Sequence, residues 1–216
     1  LHDTIPFMIQ KRLFVFDMDG VLVASEKVWM ETEPQMLEDM FGEEIARAIG
    51  DTIGVSVGEI YKKAVALGST MNKAAFDRRY NEAALRVYGR CTVSQGTDGL
   101  VAYLLTHGWT LALLSSSPMH WIEQVLRRLS WRDKLAVVLS LNEHHELRAK
   151  PFPDGCQYVL RQVGAIPESS VALEDSNPGI AAARAAGLFT IGYREHLPEW
   201  YEQRGADATA ETMEDV

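Results

Sequence analysis

Arg12-Leu13-Phe14-Val15-Phe16-Asp17-Met18-Asp19-Gly20-Val21-Leu22 decides how this chain is read. Four apolar residues run into two carboxylates spaced two apart, and a glycine follows at once. Residues i and i+2 of a strand share one side. A buried strand over residues 13–16 therefore sends both carboxylates out of its C-terminal end in the same direction. Two like charges held so close are costly unless a cation or a chemical task keeps them there. The segment reads as a nucleophile, an acid/base and a metal seat in one turn of chain, with Gly20 supplying a tight bend and exposed N–H groups.

Outward from that stretch, short apolar runs alternate with amphipathic segments. This is the signature of a parallel sheet wrapped by helices on both faces. The expected strands are residues 13–16, 110–114, 135–139, 171–173 and 189–192, with a fainter one at 206–209. Helical patterns fill 99–106, 120–129, 154–163 and 178–186, the last closed by Gly187. The interval after the first strand breaks the rhythm. About 90 residues precede the second strand, far more than one crossover needs. Helical patterns cover 31–41, 43–49, 57–66 and 73–88, so an all-α insertion is expected. The expected division is an α/β core over 1–24 and 90–216 and a helical cap over 25–89, with joints at 22–25 and 89–96.

The chain has 216 residues, 47% of them hydrophobic, enough for one large domain with a small insert. Its formal charge of -9 makes nucleic acid a poor partner. Cys91 and Cys156 are its two cysteines. They form neither a CxxC nor a disulfide framework, which suits a reducing, cytoplasmic setting. Residues 1–11 lack the apolar stretch of a secretory leader, and no run of about 18 apolar residues marks a membrane span. A monomer is the default expectation.

Three more strand ends carry chemistry. In Leu114-Ser115-Ser116-Ser117-Pro118 the Ser115 hydroxyl and the N–H groups that follow can donate to phosphoryl oxygens, Ser116 adding to the same loop, while Ser117 is placed to cap a helix entered at Pro118. In Arg148-Ala149-Lys150-Pro151-Phe152-Pro153-Asp154, Lys150 is a compact cation in a proline-stiffened loop, and Asp154 reads as the next helix cap. In Leu173-Glu174-Asp175-Ser176-Asn177-Pro178, two acids offer hard oxygen ligands suited to Mg²⁺; Asn177 reads as a cap before Pro178.

With these four segments in this order, the chain resembles the haloacid dehalogenase-like superfamily, in its phosphatase and β-phosphoglucomutase-like branch with a helical cap. The resemblance implies a Rossmann-like core, Asp17 as the residue that becomes an aspartyl-phosphate, and Asp19 as acid/base. It matches Ser115 and Lys150 to the family's hydroxyl and lysine motifs. It implies Mg²⁺ held by Asp17, the Asp19 main-chain carbonyl and Asp175, with Glu174 assisting. Near the cap hinge, Ser25, Trp29, Glu33 and Ser56 are candidate substrate contacts; Trp29 and Glu33, four apart, share a helix face. A β-phosphoglucomutase carries a cap histidine where Trp29 stands, and a phosphate-gripping arginine where ungapped matching puts Val57. The expected activity is therefore Mg²⁺-dependent hydrolysis of a small phosphorylated metabolite, with a sugar phosphomutase or a non-catalytic metabolite-binding protein as alternatives.

Overall fold

The computed structural model describes residues 10–216, so the expectations for the leader region and for the start of the core segment lie outside the described residues where they fall on 1–9. The apolar run of the opening motif forms β1 (Lys11–Phe16) at the centre of a parallel sheet. β2 (Trp109–Ser115) and β3 (Leu135–Ser140) extend the sheet on one side, and β4 (Ala165–Glu174), β5 (Phe189–Tyr193) and β6 (Ala208–Ala210) extend it on the other. The strand order is β3-β2-β1-β4-β5-β6, so the chain reverses its direction of travel across the sheet between β3 and β4. Phe14 stands opposite Leu111 of β2 and Val171 of β4. In a doubly wound sheet, ligands collect in the crevice at the carboxyl ends of the strands beside such a reversal.

The period of two along β1 feeds two cores. Phe14 and Phe16 pack on one face with Leu111, Leu113, Ile122 and Val125. Leu13 and Val15 pack on the other with Ala112, Leu139, Val159 and Leu160. The first face is covered by α5 (Thr97–Thr106) and α6 (Met119–Leu126), the second by α7 (Asp154–Val163) and α8 (Asn177–Ala185). A strand buried on both sides needs a continuous apolar run, which is why Leu13 to Phe16 does not alternate with polar residues. The fold is thus the expected doubly wound α/β sheet. β4 is longer than expected, beginning at Ala165 instead of residue 171, and its register against β1 shifts between Lys11 and Leu13.

The helical insertion comprises α1 (Ser25–Phe41), α2 (Glu43–Ile49), α3 (Val57–Ala66) and α4 (Lys73–Arg90). Ser56 and Asn72 cap α3 and α4 with their side chains. The insertion has an apolar centre of its own in Met36, Leu37, Ile60, Ala64, Phe76 and Tyr80. Full burial of Met36, Leu37, Ile60 or Phe76 contributes about 1.5–3 kcal/mol each. α1 starts six residues before the expected helix at 31. Its two connections to the core pair with each other: Ala24 N–H donates to Thr92 O at 2.9 Å and Ser94 N–H to Leu22 O at 3.0 Å.

Three expected helix caps are placed differently. Ser117 does not cap α6; Pro118 occupies that position, with no side-chain cap. Asp154 is the first residue of α7 and holds Arg148 through its backbone N–H at 3.0 Å and its guanidinium at 2.7 Å. At α8 the cap is Ser176, whose Oγ accepts from Gly179 N–H at 3.2 Å, while the Asn177 amide donates to Glu202 O. In each case a short polar side chain found a partner distant in sequence or a neighbour took the capping role.

Candidate active site

The ends of β1, β2 and β4 and the loop before α7 meet at one point. Lys150 Nζ donates to Asp17 Oδ1 at 2.5 Å and also to Glu174 Oε1. The Lys150 side chain is 5% exposed, so this cation exists only because two acids offset its burial. Burial works against the Lys150 charge, but Asp17 and Glu174 outweigh it and the ammonium is held firmly. Burial drives the Asp17 carboxyl up to about 8; Lys150 pulls it back, and Glu174 and Asp19 push it further up. The sequence-predicted Asp17, Lys150, Glu174 and Asp175 are therefore brought together.

Asp17, Glu174 and Asp175 each offer a carboxylate oxygen within 4.8 Å of the others. Asp175 is buried, and its Oδ2 has no hydrogen-bond partner among the described residues. Its carboxyl is pushed well above the usual range by burial first, then by Glu26, Asp17 and Glu174. Three buried acids with one orphaned oxygen and a single lysine leave an excess of negative charge, and a small divalent ion with hard oxygen preference would resolve it. These residues fit such an ion. Gly20 lies directly beneath them: its φ is +72°, and a Cβ there would collide with the Asp175 carboxylate. Its N–H is spent on Val23 O at 3.0 Å, so this glycine serves the turn and lies off the cavity wall.

Asp19 is separated from that cluster by its hydrogen bonds. Oδ1 accepts from the Ser25 hydroxyl at 2.7 Å and from the Tyr88 hydroxyl at 2.8 Å; Oδ2 accepts from Ser117 Oγ at 2.7 Å. Burial raises the Asp19 carboxyl, and the Ser25, Ser117 and Tyr88 bonds oppose that rise. Ser25 and Tyr88 stand at the first and last helices of the insertion, so both of its ends close on one carboxylate. Ser115 is buried at the tip of β2, its Oγ accepting from Ser117 N–H at 3.0 Å, and Ser116 is half-buried beside it.

A cavity of about 420 Å³ opens above the cluster, between core and insertion. Asp17, Asp19, Ser115, Ser116, Lys150 and Asp175 form its floor. Trp29, Glu33 and Ser56 stand on its walls; Ser25 does not, being fully buried against Asp19. Trp29 lies in an aromatic row, with ring centroids 6.0 Å from Tyr80 and 5.7 Å from Trp121. Glu33 accepts from Tyr80 at 2.8 Å and from the Thr52 hydroxyl. Sequence reasoning missed Tyr88, Ser117 and the buried Glu26. The spacing of Ser117 from Ser115 could have flagged it; nothing local marks Tyr88.

The sequence profile of the family described as "Haloacid dehalogenase-like hydrolase" matches residues 14–193. Hexitol phosphatase B of Escherichia coli (strain K12) is 28% identical over 182 residues, covering 82% of this chain and 81% of its own. A phosphorylated carbohydrates phosphatase of Thermotoga maritima is 28% identical over 184 residues, covering 82% of each. The crystal structure of a putative beta-phosphoglucomutase from Thermotoga maritima superposes with a TM-score of 0.68 at 26% identity, over 94% of this chain and 95% of that one. Asp17, Ser115, Lys150 and the Glu174-Asp175 pair fall within the matched region, Lys150 from a loop and not from the strand end expected for it, and the chain belongs to the haloacid dehalogenase-like hydrolases.

Proposed function

We propose that this protein is a Mg²⁺-dependent phosphatase that hydrolyses a small phosphorylated metabolite through an aspartyl-phosphate on Asp17. The observation that carries the reading is the convergence of Asp17, Lys150, Glu174 and Asp175 on one buried point below the cavity between core and insertion. The names of the related hexitol and carbohydrate phosphatases support a phosphomonoester hydrolase.

In the first half-reaction an Asp17 oxygen forms a bond to phosphorus as the bond from phosphorus to the substrate alcohol breaks. Asp19 gives its proton to the departing oxygen. In the second, water attacks the same phosphorus, Asp19 takes the water proton, and the bond to Asp17 breaks to release phosphate. Lys150 and the Ser115 hydroxyl, together with N–H groups of its loop, face the equatorial oxygens, where transition-state charge must be stabilised. Bound Mg²⁺, held by Asp17, Asp175 and the Asp19 carbonyl with Glu174 assisting, would neutralise the phosphate dianion and keep Asp17 ionised. The helical insertion acts as the cap that excludes bulk water. The mutase alternative needs a second phosphate site. At the positions where such a mutase carries its cap histidine and arginine, this chain has Trp29, packed in an aromatic row, and Val57.

The test is Asp17→Asn with p-nitrophenyl phosphate and Mg²⁺. The variant should fold, as judged by circular dichroism, and release no phosphate. Full turnover by a folded variant removes Asp17 as nucleophile.

A further inference from the structure

Insertion and core meet along α4 and α6, and the contacts there are polar and directional. Asn81 Oδ1 of α4 accepts from Trp121 Nε1 at 2.9 Å and from His120 Nε2 at 2.8 Å, both at the start of α6. About two turns further along the same face of α4, Tyr88 sends its hydroxyl to Asp19 Oδ1 at 2.8 Å. The end of α4 is then gripped by Arg128, which stands in the turn that closes α6 and is fixed there by its own N–H on Val125 O at 2.9 Å. Arg128 Nη1 donates to Tyr88 O at 3.2 Å, and Nη2 donates to Cys91 O at 2.8 Å. The residue is exposed, yet both terminal nitrogens of its guanidinium turn onto the insertion instead of into water. The last carbonyls of a helix lack partners within it. No left-handed glycine follows α4 to satisfy them: Cys91 is extended and returns its N–H to Val87 O at 2.9 Å. A planar cationic fork suits two such carbonyls at once, at the negative end of the helix dipole.

We propose, resting on the phosphatase reading, that Arg128 is a positioning residue for the acid/base Asp19: by holding the carbonyls of Tyr88 and Cys91 from the core it fixes the end of α4, and with it the reach of the Tyr88 hydroxyl to Asp19. Tyr88 is thereby held at both ends, its backbone by Arg128 and its hydroxyl by the carboxylate it serves. The outer contact has little slack. A withdrawal of α4 by about 1 Å takes the 2.8 Å separation past hydrogen-bond range. Asn81 holds α4 at one point of the same face, and a helix pinned at one point can still swing; Arg128 supplies the second point, on the residue that matters. Arg128 does not line the cavity, so its effect on the reaction runs through Tyr88 and not through substrate.

The experiment uses two aryl phosphates, phenyl phosphate and p-nitrophenyl phosphate, with Mg²⁺ present. Phenolate is the more basic leaving group and needs a proton from Asp19 as it departs; p-nitrophenolate leaves without one. The ratio of the two kcat/KM values therefore reads the acid, and a general loss of well-packed enzyme cancels from it. In Arg128→Met the ratio of phenyl to p-nitrophenyl phosphate should fall about tenfold, a part of the ~10²–10⁴-fold that a placed acid contributes. Tyr88→Phe should lower it at least as far, and the double variant no further than Tyr88→Phe alone, because the arginine then has nothing to act through. An unchanged ratio in folded Arg128→Met, or a further fall in the double variant, overturns the assignment of Arg128 and leaves the phosphatase reading standing. Where Arg128→Met does not fold, Arg128→Lys, which keeps a cation at the helix end but not the fork, is judged by the same ratio. Absence of phosphate release from both compounds by the wild-type protein overturns the phosphatase reading itself.

Discussion

Gly54→Ala tests whether the insertion works by closing on the core. Gly54 lies in the loop between α2 and α3, on the cavity wall, with φ +72°. A Cβ there would sit inside 3.0 Å of Ser176 Cβ and Oγ and at 3.4 Å from Pro178 Cδ. Ser176 has little room to yield, because its hydroxyl donates to Glu174 at 3.1 Å and caps α8 at Gly179. Two costs follow. The left-handed backbone costs about 1–2 kcal/mol for a residue with a side chain. Relief of the clash also needs a withdrawal of roughly 1 Å to reach ordinary carbon–carbon separations. Gly164 provides the control. Its φ is +71° in the left-handed region at the end of α7, and a Cβ there meets nothing within 4 Å. Gly164→Ala therefore bears the backbone cost alone, and Gly54→Ala bears both. If closure on Ser176 is needed for turnover, the extra strain of another 1–2 kcal/mol lowers kcat/KM for p-nitrophenyl phosphate by about 5–30-fold beyond the control. Thermal melting is followed in parallel, since about 1 kcal/mol shifts Tm by about 2–4 °C in a chain of this size. Equal kcat/KM in the two variants would falsify the idea that the loop must seat against the core.

The remaining predictions concern single contacts. Tyr88→Phe removes one of three hydroxyl donors to Asp19 and should cost about 1.5–3 kcal/mol, or about 10–150-fold in kcat, with little change in KM; unchanged kcat in steady-state assays means that Tyr88 does not position the acid. Phe76→Ala deletes a fully buried ring that packs on Phe41, Tyr61 and Tyr80, and urea unfolding should show a loss of about 3–5 kcal/mol; a loss below 1 kcal/mol would mean that the insertion is not held by this cluster. The Arg148 guanidinium and backbone hold the Asp154 carboxyl down at about 2, below its unfolded value of about 3.9. Because the folded value is the lower one, the clamp stabilises the protein above the unfolded value and is lost as pH falls through about 2. The gap in urea midpoint between wild type and Asp154→Asn should therefore be present at pH 7 and close towards pH 2; a gap independent of pH refutes the clamp.

Much of the architecture could be read from the chain because it rests on local rules. Leu13 to Phe16 is continuously apolar because β1 is covered on both faces, and the same logic located β2, β3 and β5. The boundaries of α2, α3 and α7 agree with the periodic pattern. The start of α1 was not legible, and the reason is physical. Its cap position is Ala24, with no side-chain hydrogen bond, so no local signal marks it. The helix begins there because Ala24 is tied to Thr92, sixty-eight residues on in sequence.

The same distinction separates the parts of the site that sequence could find from those it could not. Asp17, Ser115 and the Glu174-Asp175 pair announce themselves because each terminates a strand, and parallel strands deliver their carboxyl ends to one edge. Lys150 joins them from a loop, its position marked by the prolines around it. Tyr88 and Glu26 have no such marker, and Ser117 has its spacing from Ser115. Tyr88 reaches Asp19 across 69 positions and Ser117 across 98, so the first contact exists only once insertion and core have docked and the second only once β1 and β2 have paired. A serine before a proline is locally a helix cap; near a buried carboxylate it does better as a donor, because a hydrogen bond to a charged acceptor is worth about twice a neutral one. Sequence thus exposes the acids, the lysine and the serine gathered at the sheet edge, whereas the hydroxyls that hold Asp19 in place appear only in the folded contacts. That division follows from the fold itself. The sheet edge is fixed by local rules, and the cavity above it is made by packing between segments far apart in the chain.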